Sequence, residues 1–262
     1  MSGVIFLAGC NLSGKKEVTG EENTLTHGNL VVREFGSCDT TKNQGVSVSV
    51  SLWELTDSSK VAETINGILT EKSIERINSY SDSASIAANP GAKNSVKDAF
   101  VVFQKNYNDF KKEFADAPGC WRVELAGDTV IATQKWLFYQ LDHYAFTGGA
   151  HPNSFRSYHA FDGKTGEEKQ MKTFVADSVA FLKLVEGSFR KEEKLADTTN
   201  LEEVGYFLSN HQFFVPANYV FTRDGILFYY NPYEIAAYAR GAIQFTIPYS
   251  ELKGIVKKED IL

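Results

Sequence analysis

Two strand-like runs, residues 129–144 and 154–161, are joined through the stretch DHYAFTGGAHPN at residues 142–153, and no other feature constrains the fold as strongly. Gly148 and Gly149 tolerate the positive φ angles that reverse a chain tightly, so the spacing predicts an antiparallel hairpin turning at this pair. Tyr144, Thr147 and His151 then sit on the hairpin tip. A tip held by rigid strands leaves its side chains free to meet a partner.

The rest of the chain supplies partners for this hairpin. VSVSVSLWEL at residues 46–55 alternates apolar and small polar residues, the pattern of a half-buried antiparallel strand. Asp57 offers an N-cap, and Val61, Ile65, Ile68, Leu69 and Ile77 lie near helical spacing, which predicts a helix to about residue 80. Residues 81–94 read as a linker. Ser95 and Asp98 resemble a capping box, opening a helix whose Ala99, Val102, Phe103, Tyr107, Phe110 and Phe114 share a face. Ala117-Pro118-Gly119 stops it.

Strands follow from Trp121, with residues 122–126 and 129–144 flanking Gly127-Asp128 as a two-residue turn and residues 162–166 as another reversal. A helix is expected over residues 177–195 with Val179, Leu182, Val185 and Phe189 inward, and a shorter one over 201–208. Strands close the chain at residues 212–222, 226–231 and 243–249, with residues 223–225 as a turn. This order reads as an α+β protein: an antiparallel β-sheet meander with helices packed on one face, in two closely associated subdomains, residues 30–120 and 121–262.

Residues 1–10 read MSGVIFLAGC, and Leu7-Ala8-Gly9-Cys10 looks like a bacterial lipobox, which implies a lipid on Cys10 and a protein anchored in the cell envelope, periplasmic or surface-facing. The apolar run is shorter than a usual signal core. Either the true start lies upstream of Met1, or this is a coincidental apolar terminus. Under the lipobox reading, polar residues 11–29 form a flexible tether. Setting Cys10 aside leaves Cys38 and Cys120, which form a disulfide in an oxidising compartment or stay as two thiols.

A net charge of −6 argues against a nucleic-acid partner, which a basic face would recognise. No apolar run reaches the roughly 20 residues of a transmembrane helix. The sequence contains no GxGxxG, P-loop, HExxH, GxSxG or CxxC pattern, so no cofactor is expected. His143, His151 and His159 recur every eight residues, but even spacing arises easily in a meander and no metal is expected. Asp142, His151 and Glu234 would make an envelope enzyme only if they converged in a cleft.

Residues 227–241, LFYYNPYEIAAYARG, carry a second cluster. Asn231-Pro232 ends a strand, and Pro232 with Glu234 suits the first turn of a helix. Tyr229, Tyr230 and Tyr233 join large area to a hydrogen-bonding tip, which suits recognition.

Four ordered motifs carry a resemblance: Tyr144-x-x-Thr147-Gly148-Gly149-Ala150-His151; Asp162-Gly163-x-Thr165-Gly166; FYYNPYEIA at residues 228–236; and IPYSEL at residues 247–252. They resemble the RsiV-like extracellular domain family, which includes the lysozyme-sensing ectodomain of a membrane-bound anti-sigma factor and the non-catalytic amino-terminal region of the peptidoglycan deacetylase PdaC. The resemblance covers roughly residues 46–256 and is strongest from Trp121, where it implies an RsiV-like carboxy-terminal domain. It implies an envelope-facing binding module rather than an enzyme, with a lysozyme-like muramidase or peptidoglycan as partner. No sigma-binding segment or deacetylase metal motif is read here, so neither of those activities is expected. A structural or inhibitory scaffold is the remaining alternative. The expected contact or site-shaping residues are Tyr144, Thr147, His151, Tyr229, Tyr230 and Tyr233.

Overall fold

The computed structural model describes residues 24–117 and 119–262. Its elements are β1 (Gly28–Asp39), β2 (Gln44–Leu55), α1 (Lys60–Asn78), α2 (Ser83–Ala88), α3 (Val96–Glu113), β3 (Trp121–Ala132), β4 (Trp136–Phe146), β5 (Asn153–Asp162), β6 (Glu168–Lys169), α4 (Ser178–Glu192), β7 (Asn218–Phe221), β8 (Gly225–Tyr230) and β9 (Ile243–Pro248). β1 to β6 form one sheet in chain order and β7 to β9 a second, smaller sheet. The fold is α+β and antiparallel apart from one pairing. β2 and β3 run parallel, Val46 beside Trp121, across a crossover that contains α1, α2 and α3.

The alternation in β2 decides which face is buried. Val46, Val48, Val50 and Leu52 point into a core with Val123, Leu125, Leu137, Tyr139 and Leu141, closed by Ile65, Leu69 and Ile77 of α1 and Ala99 and Phe103 of α3. A β-bulge between Thr129 and Ile131 turns Ile131 to the opposite face. There Phe138, Tyr158 and Ala160 join a second core built on α4 and the small sheet. Phe189 of α4 lies 5.6 Å from the Tyr230 ring, and Phe181 lies 5.7 Å from Phe228. The second core therefore covers only part of that face of the large sheet.

Several expectations change. β3 runs straight through Gly127-Asp128, where a turn was expected, because a Cβ at Gly127 would lie 2.5 Å from the Tyr139 hydroxyl. Glycine there permits close approach of another strand's side chain. The turn falls at residues 133–135, where the Thr133 hydroxyl accepts from Lys135 N and Trp136 N. Residues 28–39, assigned partly to the tether, form edge strand β1, and Leu25 before it is buried. The N-cap of α1 is Ser59, with Asp57 bonding Ser59 N instead. The expected linker 81–94 contains α2, capped by Asp82, and a 3-10 turn at Pro90–Lys93.

Ser95 does cap α3, accepting from Asp98 N, and its hydroxyl donates to the Asp98 carboxylate. Phe114 lies past the helix end and is exposed. Pro118 lies outside the described residues. Asp177 caps α4 as its position suggests, but Val179 is exposed; the inward face is Phe181, Val185 and Phe189, with Leu182 half-buried against the same core. Residues 201–208 make turns rather than a helix, with Gly205 at φ +92°. Asn210 and His211 take positive φ in a turn, so the strand expected over 212–222 shortens to β7. No α-helix follows Pro232, because Tyr233 sits at φ +69° and only a 3-10 turn forms, at Tyr238–Arg240.

Cys38 at the end of β1 and Cys120 before β3 are joined as a disulfide, with Cα atoms 5.4 Å apart. It ties together the two strands that flank β2. Cys10, the lipobox reading and residues 11–23 lie outside the described residues.

Candidate functional site

The part of the large sheet that the second core leaves uncovered is a concave, mostly polar surface, and the strand registers define it. One row across the strands reads Glu34, Ser49, Glu124, Tyr144, Ser154; the next reads Val32, Ser51, Ala126, Asp142, Arg156. The hollow over them has a volume of about 690 Å³ and reaches Tyr229 of β8. Its serines and Ala126 are the small residues of the alternation, and they leave the hollow between the larger side chains of Tyr144, Arg156 and Tyr229. Val32 and Leu30 extend it as exposed apolar groups on edge strand β1.

Charged side chains on this face are held in place. Arg156 Nε and a terminal nitrogen donate to the two carboxylate oxygens of Asp142 at 2.6 and 3.1 Å. Gln140 donates to the same carboxylate at 2.7 Å. The Asp142 bonds raise the Arg156 pKa above its already high ordinary value, so the guanidinium stays charged. The guanidinium also lies 4.8 Å from the Tyr229 ring centroid, a cation–π contact that fixes both groups. Arg122 repeats the arrangement one row away, 4.6 Å from the Tyr144 ring and bonded to its hydroxyl at 2.8 Å. Burial raises the pKa of Tyr229, which therefore presents a neutral hydroxyl.

The hairpin forms as the Gly pair suggests, with β4 and β5 paired as far as Ala145 and Asn153. Gly148 has φ +87°; Gly149 does not use the left-handed region, so one glycine rather than two carries the reversal. Tyr144 stands on β4 just before the tip, with Thr147 half-buried and His151 exposed in the loop. His151 stacks on Tyr238 with ring centroids 4.8 Å apart, and Tyr238 meets Tyr233 at 5.3 Å. The tip is thereby joined to the segment after β8 by three aromatic rings, and Tyr233 at their end is 61% exposed.

Tyr230 differs from its neighbours. It is fully buried and donates to the Phe214 carbonyl at 2.6 Å, so it supports the segment from behind the exposed rings. Asn231, which the sequence reading used only as a strand terminator, is the joint between the two stretches. Its side chain accepts from Arg156 N at 2.7 Å and donates to Arg156 O at 3.0 Å. Glu234 closes the turn by accepting from Asn231 N and Ala217 N.

The enzyme alternative rested on Asp142, His151 and Glu234 converging in a cleft. Each is committed to a different partner, and no hydrogen bond links any two of them. Of the three evenly spaced histidines, His143 and His159 face a cavity on the helix side of the sheet while His151 lies on the tip. Among the described residues, no group of three or more His, Cys, Asp or Glu is arranged to hold a metal ion. Nor is any of their helices long and apolar enough to cross a membrane.

The Asp142–Arg156 pair had a signal in the sequence, because a hairpin centred on Gly149 places these residues opposite each other. Asn231 had none, since its contact is 75 residues away in the chain.

A family model described as "Protein of unknown function (DUF3298)" matches residues 171–250, the stretch that holds α4, β7, β8 and β9. That match includes Tyr229, Asn231 and Tyr233 but not the hairpin tip. Among solved structures, the chain is similar to a DUF3298 family member from Bacteroides fragilis, with 20% identity, a TM-score of 0.65, and coverage of 90% of this chain and 96% of that one. It is also similar to a DUF3298 family protein from Pseudomonas aeruginosa PAO1, with 19% identity, a TM-score of 0.58, and coverage of 87% and 95%. At these identities the likeness establishes the fold. No curated protein matches the chain.

Proposed function

We propose that the chain is an envelope binding module of the RsiV type, lipid-anchored through Cys10, that recognises a cationic muramidase of the lysozyme kind with the open sheet face and the aromatic tip. The observation that carries this reading is the joining of the two tyrosine-bearing stretches at one rim of an uncovered sheet face. Tyr233 and His151 stand as an exposed aromatic rim, with Tyr144, Tyr229 and the Asp142–Arg156 pair behind them. Aromatic side chains fixed by stacking lose little entropy on binding, so more of their contact area appears as affinity. The net charge of −6 favours association with a strongly basic partner.

The test is calorimetric titration of the purified chain with a cationic lysozyme at low and physiological salt. One-to-one binding that weakens with salt yet survives at the higher level is expected. Tyr233→Ala should weaken it by about tenfold or more while leaving the thermal midpoint unchanged. No heat at either salt removes the muramidase reading, and peptidoglycan fragments then become the ligand to titrate.

A further inference from the structure

On the opposite face of the large sheet, between α1 and strands β4 and β5, lies a separate cavity of about 310 Å³. It holds a chain of hydrogen bonds that the binding surface does not use. Ser157 Oγ lies 2.9 Å from His159 Nε2, and His159 Nδ1 lies 2.6 Å from Glu168 Oε1. Lys72 of α1 pairs with the other oxygen of Glu168 at 2.8 Å. Burial alone would raise the Glu168 pKa, but the His159 and Lys72 hydrogen bonds and charges outweigh it and bring it down to about 2. An ionised carboxylate accepts only, so it takes the Nδ1–H; in the neutral ring Nε2 is then an acceptor, 2.9 Å from a Ser157 Oγ that also lies 3.4 Å from the Leu141 carbonyl. A nucleophile, a base and an orienting group are thus in register.

Strand geometry explains why they meet. Ser157 and His159 are two residues apart on β5 and share a face, and Glu168 is on β6, the next strand. Beside them His143 is buried, and both its ring nitrogens lack a hydrogen-bond partner. His143 pairs with Phe155 and Ser157 pairs with Leu141, so His143 and Ser157 are diagonal neighbours across β4 and β5, about 7–8 Å apart. Burial, with Arg76 nearby, lowers the His143 pKa to about 4, so its ring is neutral and has an N–H that binds nothing. Buried polar groups without partners are rare, and one lining a cavity calls for an occupant. Arg76, 5.1 Å from the Phe155 ring, brings a cation to the same wall.

We propose that this cavity is a second functional site, an esterase-type centre in which Ser157 is the nucleophile, His159 its base and Glu168 the positioning carboxylate, acting on a small acyl ester. The Ser157 oxygen forms a bond to the ester carbonyl carbon as its proton passes to His159 Nε2. The carbonyl oxygen takes the negative charge and is met by the His143 N–H and the Arg76 guanidinium. The carbon–oxygen bond to the alcohol then breaks, and the alkoxide leaves with the proton from Nε2. Water adds to the acyl-serine by the same path, releasing the acid and returning the proton to Ser157. Leu125, Leu141 and Phe155 give the acyl group an apolar wall.

A fluorophosphonate probe tests this on the purified chain, because an activated serine displaces fluoride and keeps the phosphonyl group. The expected result is one adduct per chain, mapped to Ser157 by peptide mass spectrometry and absent from Ser157→Ala. Its labelling rate should fall about 100-fold or more in His159→Gln. In Glu168→Gln the rate should fall and its pH profile should move, which a merely structural carboxylate would not cause. No adduct between about pH 6 and 9, an adduct at another residue, or undiminished labelling of a folded His159→Gln each overturns the proposal. Mapping the wild-type adduct decides the matter even if a variant fails to fold.

Discussion

The side-chain amide of Asn231 pairs with the backbone of Arg156 as a neighbouring strand would, accepting from its N–H and donating to its C=O. β6 pairs with β5 only at Ala160 and Phe161, so among the described residues no strand is hydrogen-bonded to the outer edge of β5 at Arg156. One buried amide fills that gap and fixes the segment after β8 against the large sheet. The Tyr229 contact with Arg156 and the His151–Tyr238 stack both depend on the position this sets.

Asn231→Ala should therefore destabilise the protein by about 2 to 4 kcal/mol, since it leaves a buried N–H and C=O unpaired as well as removing two hydrogen bonds. Urea unfolding would show this as a lower midpoint. A loss below about 0.5 kcal/mol, the range of an ordinary surface change, would mean water satisfies the edge equally well.

Two glycine substitutions should act with opposite signs. At Gly127 a methyl group would sit 2.6 Å from a Tyr139 ring carbon and 2.8 Å from Leu52, and Tyr139 is locked by its bond to the Trp53 carbonyl. Gly127→Ala should cost about 1 to 3 kcal/mol through overpacking. At Gly187, inside α4, nothing lies within 4 Å of the added carbon. Gly187→Ala should stabilise by about 0.5 to 1 kcal/mol through helix propensity. Thermal midpoints of the two variants moving the same way would contradict this account.

What was legible in the sequence tracks how burial leaves a pattern. The serine–valine alternation of β2 and the spacing of α3 were readable because each element buries one face only. β1 was not, because its exposed Leu30 and Val32 alternate with charged Arg33 and half-buried Phe35 in no simple pattern. The β3–β4 turn contains neither Gly nor Pro and is made by the Thr133 hydroxyl, while the conspicuous Gly127-Asp128 serves packing. The aromatic motif after β8 resembled a helix start, yet Glu234 spends its carboxylate on two backbone N–H groups of a turn. The tip residues were readable from local turn chemistry. The Asn231 joint and the Ser157–His159–Glu168 chain depend on tertiary register and were not.

The Cys38–Cys120 link should add to stability through the unfolded chain. Closing a loop of sequence separation 82 corresponds to about 4 to 5 kcal/mol in the chain-entropy treatment. Cys38→Ser with Cys120→Ser should lower the unfolding free energy obtained from urea denaturation by most of that amount, and the variant's midpoint should no longer respond to reductant. Cys120 is buried, so the double serine variant also leaves a polar group at that site, and Cys38→Ser with Cys120→Ala separates the two effects.

Acid should weaken the fold in two steps, and His143 accounts for the first. Its folded pKa is about 4 against an ordinary 6.5, so between those values the unfolded chain binds a proton that the folded chain refuses. Stability then rises with pH across that window and is lost on acidification, by an amount on the order of 2 to 3 kcal/mol. Glu168, whose folded value is near 2 against 4.5, contributes stability that is present above 4.5 and lost as pH falls towards 2. His143→Phe keeps a ring against Tyr80, whose centroid is 5.5 Å away, and removes the titrating group. It should flatten unfolding free energy measured between about pH 6.5 and 4.5 while leaving the lower step in place. An unchanged slope in that variant would assign the first step to another residue.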